Sequence, residues 1–505
     1  MDSAVLTQAL MCPAAYPHPV DKVSLIETHI SQVFLAGAFA YKVRKPVHLD
    51  FVDFSTLAAR KVDCEAELAL NRRMAAALYL GVVRIVAGPG QRDVRVDGTG
   101  EALEYAVKMR RFRQRDLLSA MAETNRLNGL HMETLARRLA AIHLAAPVAG
   151  DGTGHGTPAR IAAVMEQVMA GVAALASGTA AAARVAALLR ERAAALQPAF
   201  AKRLASGHVR ECHGDLHLGN IAMIDGAPSP FDCLEFDAGL RWIDTISDAA
   251  FLFMDLLHAG RQDLAYCLIN TYLECSGDYA GLAVLPFYTA LRAVVRARVL
   301  LERAHQRSAA GTSTAEEMAA TQVRCNDLLA LASSVLTRRP GAIIIMHGLS
   351  GSGKSTVARQ LAMAAAMVRV RSDVERKRLP RGSPALPHDR YSPGNTARVY
   401  RRLLAICRLG SGAGFPMIAD ATFLVREHRL WFASLAARRG VHFSIVDCNA
   451  DVATLRERIT ARARRGGDPS DADLQVLEWQ RRAQEPLASD EWGHVVRIAD
   501  AEATA

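Results

Sequence analysis

The chain has 505 residues, half of them hydrophobic and 22% charged, the proportions of an ordinary globular protein; at roughly 100–200 residues per domain it holds two to four domains, each long enough to bury a core. Its formal net charge is +10, most of it beyond Pro340, which suits phosphate-bearing ligands there; no aromatic interleaving or nucleic-acid motif accompanies the charge, so nucleic acid is not favoured as a partner. Nine cysteines stand scattered without a C-x-x-C pair, the N-terminus lacks the basic and apolar regions of a signal peptide, and no apolar run approaches the ~18 residues of a membrane span, so a cytoplasmic protein without a membrane partner is expected.

In chain order, Val33–Ala36, Tyr41–Val43, Val82–Val86 and Ala102–Met109 read as strands, and Asp53–Leu80, with apolar positions at helical spacing and no internal Gly or Pro, as a helix. Gly88-Pro89-Gly90 is a turn, and Asp97-Gly98-Thr99-Gly100 is expected to turn a hairpin between two strands. Residues 20–112 thus suggest a small antiparallel sheet with one helix. From Asp116 the chain turns helical. Pro147–Pro158 is a Gly-rich loop, Ala159–Ser206 is Ala-rich and helical, Cys212–Asp237 breaks into strands and tight loops, and Asp244–Leu336 is helical again. Arg338-Arg339-Pro340-Gly341 is the clearest linker. Alternating strands and helices follow it, the signature of a parallel α/β sheet.

The first dense motif is His213-Gly214-Asp215-Leu216-His217-Leu218-Gly219-Asn220. An Asp followed five residues later by Asn has the kinase catalytic-loop spacing, in which the Asp orients an acceptor hydroxyl and the Asn holds Mg²⁺. Twelve residues on, Asp232 closes an apparent hairpin turned by Asp225-Gly226. Two carboxylates and an amide on neighbouring loops suit metal ions on a triphosphate. The motif resembles that of aminoglycoside and choline kinase-like proteins, and the resemblance implies Asp215 as catalytic residue with Asn220 and Asp232 as metal ligands. It further implies Lys42, on a short strand, as the phosphate-contacting lysine, with Glu65 or Glu67 on the next helix as its partner. Helical phase does not choose between them; similarity favours Glu67. Glu104–Met109 would lead to the hinge beside adenine. No G-x-G-x-x-G precedes Lys42: Ile30-Ser31-Gln32 and Gly37 stand there instead, so the phosphate grip departs from the kinase pattern.

The second motif follows the apolar, β-branched run Ala342–Met346, a buried central strand. Gly348-Leu349-Ser350-Gly351-Ser352-Gly353-Lys354-Ser355-Thr356 is G-x-x-x-x-G-K-S. Its glycines let backbone N–H groups turn in around phosphates, Lys354 supplies a cation, and the Ser355 hydroxyl reaches Mg²⁺. Asp420 ends a short strand, Gly414–Asp420, where a carboxylate can hold Mg²⁺. Asp373, 19 residues after Lys354, falls where a second strand would end, and is a candidate base. Arg376, one turn later, could pin a phosphate or carboxylate. Arg458 and Arg462 share a helix face by their i,i+4 spacing, although Arg clusters weigh less in a chain where Arg far outnumbers Lys. From Ile343 to about Trp479 the chain resembles the small P-loop kinases, including polynucleotide kinase, gluconate kinase and chloramphenicol phosphotransferase. That resemblance implies Asp373 as base, Arg376 as substrate-phosphate ligand and Arg458 and Arg462 as lid arginines; Asp420-Ala421-Thr422 is shared with the group.

From about Val23 onward the chain is similar to bacterial proteins that fuse an aminoglycoside phosphotransferase-like domain to a P-loop kinase. Glu27–Ser31, Tyr41–Pro46, Asn71-Arg72-Arg73 and Leu291–Arg298 carry the likeness. The expectation is an α+β kinase-like domain over 1–338, with a small lobe over about 20–112 and a helical large lobe over about 113–338, followed by a P-loop α/β domain over 341–505. ATP and Mg²⁺ are the implied cofactors and a small molecule with a hydroxyl group the acceptor. The rival expectations are an ATP-driven switch with a degenerate kinase domain, and a polynucleotide 5′-hydroxyl kinase. No residue pattern specifies the acceptor.

Overall fold

The computed structural model describes residues 2–49, 52–90, 93–150, 152–175, 180–337, 340–379, 392–465 and 470–499. They form two compact units: Met1–Val164 with Phe200–Asp255, and Met165–Ala199 with Leu256–Ala505.

The first unit opens with α1 (Ser3–Leu10), then β1 (Val23–Glu27), β2 (Ser31–Ala36) and β3 (Phe39–Arg44). A short ribbon, β4 (His48–Leu49) with β5 (Val52–Asp53), leads to α2 (Leu57–Ala75). β6 (Tyr79–Ala87), β7 (Val94–Val96) and β8 (Ala102–Arg110) complete an antiparallel sheet of order β1-β2-β3-β8-β6-β7. Alternating side chains cover both its faces, as a strand's two-residue period requires. Phe34, Tyr41, Val43, Ile85 and Ala106 pack toward Leu10 and Tyr16. Ala40, Tyr79, Val107 and Met109 pack with Cys64 and Ala75 of α2. Lys42 and Arg44, two and four residues on from Ala40, therefore face α2.

Helices α3 (Leu118–Glu123) and α4 (Gly129–Ala145) follow, the latter capped by the Asn128 side chain on His131 N. Then come α5 (Pro158–Leu175) and α6 (Ala180–Ala205), each with residues in both units. β9 (Val209–Glu211) pairs with β12 (Trp242–Asp244), between which lie the hairpin β10 (Ile221–Ile224) and β11 (Ala227–Pro230) and the short α7 (Ala238–Arg241). Asp225 and Gly226 turn that hairpin with φ of 51° and 79°, the pair of left-handed residues a tight two-residue connection needs. α8 (Thr245–His258) contributes its residues up to Asp255.

In the second unit α9 (Gln262–Ser276), α10 (Leu285–Ala309) and α11 (Ala315–Leu336) precede a parallel sheet. Its strands are β13 (Ala342–His347), β14 (Val368–Arg371), β15 (Met417–Asp420), β16 (His442–Asn449) and β17 (Val495–Ala499), in the order β14-β15-β13-β16-β17. The connecting helices are α12 (Lys354–Ala364), α13 (Ser372–Arg378), α14 (Pro393–Gly412), α15 (Arg426–Arg439), α16 (Val452–Arg465) and α17 (Leu474–Ala483). Central β13 buries Ile343, Ile345 and Met346 completely, and crossover helices make parallel pairing the natural outcome.

Three expectations need correction. Asp97–Gly100 does not turn a hairpin: β7 and β8 lie on opposite edges of β6, and the hairpin is β6–β7 across Gly88, whose N–H donates to Asp93 O at 2.8 Å. β6 is long enough to pair on both sides, and Asp97 N still donates to Arg84 O at 2.8 Å, so the chain leaves β7 along β6 before crossing to form β8. The expected helix over Asp53–Leu80 is shorter, because Thr56 caps it through Ala59 N and Tyr79 already belongs to β6. Lastly, Pro158–Leu175 is an 18-residue helix of mean hydropathy 1.2 with 22% of the span buried, so one helix does have the length and composition to cross a membrane. Of the linker, Arg338 and Arg339 lie outside the described residues.

Candidate functional site

Two sites take shape, one in each unit. In the first, strand β3 carries Lys42 beneath α2. Its ammonium meets Glu67 Oε1 at 3.0 Å and Asp232 Oδ1 at 2.5 Å. Of the two candidate glutamates, Glu67 is fully buried at Lys42, whereas Glu65 sits at the surface 3.7 Å from Lys61. Burial would lower the Lys42 ammonium, but Asp232 and Glu67 raise it above the ordinary lysine value. Burial would likewise raise the Asp232 carboxyl, yet Lys42 holds it below the usual carboxylate range. Asp232 has a φ of 63° and keeps 45% of its side-chain surface open. One oxygen is therefore committed to Lys42 while the residue still faces a cavity.

Around this pair is a cluster that the sequence did not reveal. Arg44, fully buried, donates to Ser31 Oγ at 2.7 Å and Glu67 Oε2 at 2.6 Å, and is paired with Asp63 and Glu235. Burial, partly offset by Arg44, pushes the Glu235 carboxyl up to about 8. The Tyr79 hydroxyl accepts from Asp232 N at 3.1 Å, and Asn71 Oδ1 accepts from Cys233 N at 2.9 Å. Strand, helix and metal-loop candidate are thus pinned together through charged groups that must stay paired, since an unpaired buried charge is costly.

The His213–Asn220 loop is braced from α8. The two Asp248 oxygens accept from His213 N and Gly214 N, each at 3.0 Å, and Asp248 Oδ2 lies 3.1 Å from His143 Nε2. Burial raises the Asp248 carboxyl, and His143 and His213 more than reverse that. On the loop, Asn220 Nδ2 donates to both Asp215 O and Asp215 Oδ2 at 3.0 Å, and His217 Nε2 lies 3.5 Å from the same carboxylate. Asp215 is near enough for its charge to bear on Asp232. A cavity of about 790 Å³ runs from Lys42, Glu67 and Asp232 past Val33, Tyr79 and Met109 to Phe112 and Leu117. Its apolar walls are accompanied by charged groups at Lys42, Glu67 and Asp232 and at Arg110, Arg111 and Arg113, a mixture that suits an organic ligand carrying phosphates.

In the second unit the loop between β13 and α12 folds back on itself. Gly348, Gly351 and Gly353 have φ of 132°, 88° and 87°. A Cβ on Gly348 would stand 2.2 Å from Cys448 O, and one on Gly351 2.9 Å from Leu455 O, so only glycine fits. Gly353 is the N-cap of α12, so the loop delivers its amides to a helix N-terminus. Lys354 reaches back to donate to Leu349 O at 2.6 Å and Ser352 Oγ at 3.3 Å. Burial, only partly opposed by Asp420, lowers its ammonium to about 8. Ser350 N donates to Gln480 Oε1 at 2.9 Å, a contact from α17 with no local sequence signal.

Ser355 Oγ donates to Asp420 Oδ1 at 3.2 Å, and buried Asp420 Oδ2 accepts no hydrogen bond among the described residues. A hydroxyl beside a carboxylate with an orphaned oxygen fits a divalent cation. A cavity of about 250 Å³ is lined by Gly351, Lys354, Ser355 and Thr356 together with Asp373, Arg376, Arg458 and Arg462. Asp373 lies in the first turn of α13, just past the end of β14. Arg458 donates to Gly351 O at 3.4 Å and Arg462 to Ala472 O at 2.7 Å. All the residues singled out after Pro340 therefore lie in or beside one polar cleft. Those singled out before it gather around Lys42–Asp232 and, on the loop, around Asp215–Asn220.

Two stretches of the chain are similar to known protein families. A family model described as "Phosphotransferase enzyme family" matches residues 51–276, and one described as "AAA domain" matches 343–487. An uncharacterized protein of Mycobacterium tuberculosis strain H37Rv is 34% identical over 477 residues, 91% of this chain and 90% of its own length. Among solved structures, a choline kinase from Cryptosporidium parvum is 10% identical and covers 66% of this chain and 96% of its own, with a TM-score of 0.40. A gluconokinase from Sinorhizobium meliloti is 22% identical over 33% of this chain and 86% of its own, with a TM-score of 0.23. With a kinase-like phosphotransferase domain and a P-loop domain joined in one polypeptide, and a mycobacterial relative matching nearly end to end, the chain belongs to the family of fused phosphotransferase–P-loop proteins and is of the kinase type.

Proposed function

We propose that the protein is an ATP-dependent phosphotransferase with two MgATP sites, each passing a phosphoryl group to a hydroxyl of a small-molecule acceptor. One observation carries the reading: each unit sets a buried lysine and a carboxylate suited to a metal beside a cleft, with a further carboxylate suited to a base, Asp373, lining the cleft of the second unit and another, Asp215, near enough to Asp232 for its charge to bear on it in the first. Phosphoryl transfer asks a protein for little more than positioning and charge stabilisation.

In the first site Lys42, fixed by Glu67, would contact the nucleotide phosphates, and Asp215, oriented by Asn220, would accept the acceptor proton. In the second, the Gly348–Thr356 backbone and Lys354 would cradle the phosphates. There Asp373 would take the acceptor proton, while Arg376, Arg458 and Arg462 would balance charge on the transferred group. Mg²⁺, when bound, neutralises phosphate charge; Asn220 with Asp232, and Ser355 with Asp420, are the residues that would hold it. The nine cysteines, which form no disulfide among the described residues, support a reducing, cytoplasmic setting.

The test is product formation by the purified full chain with labelled ATP across sugar, nucleoside, polynucleotide and aminoglycoside panels. A labelled organic phosphate that disappears with Asp215→Ala or Asp373→Ala supports the reading. Release of inorganic phosphate alone, unchanged by either substitution, would leave an ATP-driven switch. That second reading is favoured by the turn between β1 and β2, which has no glycine and is closed by Thr28 and Ser31 (Thr28 N to Ser31 O, 2.9 Å). A polynucleotide acceptor would instead show itself as steeply salt-dependent oligonucleotide binding.

A further inference from the structure

Helix α9 is no part of a P-loop signature, yet within the second unit it is fastened to the edge of the parallel sheet. Asn270 pairs with β14 as a neighbouring strand would. Its Nδ2 donates to Met367 O at 2.9 Å, and its Oδ1 accepts from Arg369 N at 2.7 Å. One helical turn on, and so on the same face, the Glu274 carboxylate accepts from Arg369 Nη2 at 3.4 Å and Arg371 Nη1 at 3.1 Å. Arg378 also donates to the Glu274 carbonyl.

The same two guanidiniums approach the P-loop site from behind. Arg369 Nη1 and Arg371 Nε stand 3.9 and 3.8 Å from Asp420 Oδ2, the oxygen that accepts no hydrogen bond among the described residues. Arg369 Nη1 donates to Ser355 O at 3.0 Å. At these distances the arginines are too far away to occupy the lone pairs of Asp420 Oδ2. We infer that Glu274 is a positioning residue for the P-loop site: it draws Arg369 and Arg371 back from Asp420, leaving Oδ2 open to a divalent cation. With the Glu274 charge removed, a movement of roughly 1 Å brings a guanidinium into charge-assisted hydrogen-bond range of Oδ2, in competition with the cation. Helix α9 lies inside the 51–276 segment that matches the phosphotransferase family. The metal side of the second site is therefore completed by residues outside the 343–487 match. The inference rests on reading Ser355 and Asp420 as that metal side.

The experiment uses the full chain with Lys42→Ala, which silences the first site. A non-hydrolysable ATP analogue is bound over a Mg²⁺ series, with melting temperature recorded in parallel. Glu274→Gln should raise the Mg²⁺ concentration for half-maximal binding at least tenfold while leaving Mg²⁺-free affinity within about twofold. Adding Arg371→Gln should restore most of the loss, which a merely structural role for Glu274 would not allow. An unchanged Mg²⁺ requirement in a normally melting Glu274→Gln overturns the inference. Should that variant not fold, Arg371→Gln alone decides: a lower Mg²⁺ requirement supports the inference, and an equal or higher one overturns it. Analogue binding that survives Lys354→Ala overturns the P-loop reading itself, and the inference with it, and is recognisably a different failure.

Discussion

The two sites solve one problem, holding a buried lysine in a cleft, by opposite means. In the first unit Lys42 is surrounded by carboxylates contributed from far apart in the chain, and its proton is held more tightly than in water. In the second, Lys354 rests on its own loop's oxygens, and burial loosens its proton to about 8. The cation of the first site is balanced by carboxylates, whereas the oxygens that hold Lys354 are neutral.

Breaking that comparison should cost most at Arg44. Arg44→Met leaves Asp63, Glu67 and Glu235 without their shared cation, and a broken buried ion network costs about 3–5 kcal/mol. Chemical denaturation should show the loss in the transition of the first unit, with the P-loop site still binding nucleotide. Next comes Lys354→Ala, which removes a buried charge-assisted contact of up to about 3 kcal/mol, a loss on the order of a hundredfold in MgATP affinity at the second site. Equilibrium titration should find the first site unaltered.

A pH series sharpens the contrast. Between about 8 and the ordinary lysine value of 10.5, folded Lys354 binds fewer protons than the unfolded chain. The ligand-free second unit therefore gains stability as pH rises through that window, and the cost of burying the charge is fully present below about 8. A bound phosphate reverses the preference, so nucleotide affinity at this site should fall as pH rises above about 8. A flat affinity profile from pH 7 to 9.5 would contradict the assignment. The smallest effect belongs to Glu65: its exposed pair with Lys61 should leave melting and nucleotide binding unmoved on Glu65→Ala, whereas Glu67→Ala should weaken binding at the first site.

How much of this was legible in the sequence follows the same divide. The P-loop could be read because its parts are consecutive and each glycine answers a local backbone demand. The His213–Asn220 loop was legible for the same reason. Arg44 was not, because its partners Asp63 and Glu235 are 19 and 191 residues away. The one available signal was its two-residue spacing from Lys42, which puts both on one strand face. Asp248 and Gln480 act on backbone amides 34 and 130 residues distant, where no periodicity could announce them. The misread Asp97–Gly100 turn has a similar cause: turn residues say that the chain reverses, and only the pairing capacity of β6 decides which strands become neighbours.

The claim that two independent nucleotide sites share this polypeptide is tested most directly by the stoichiometry of MgATP-analogue binding to the full chain. The account predicts two equivalents per chain, one after either Lys354→Ala or Asp232→Asn, and none after both. A single equivalent that Asp232→Asn leaves untouched would contradict it.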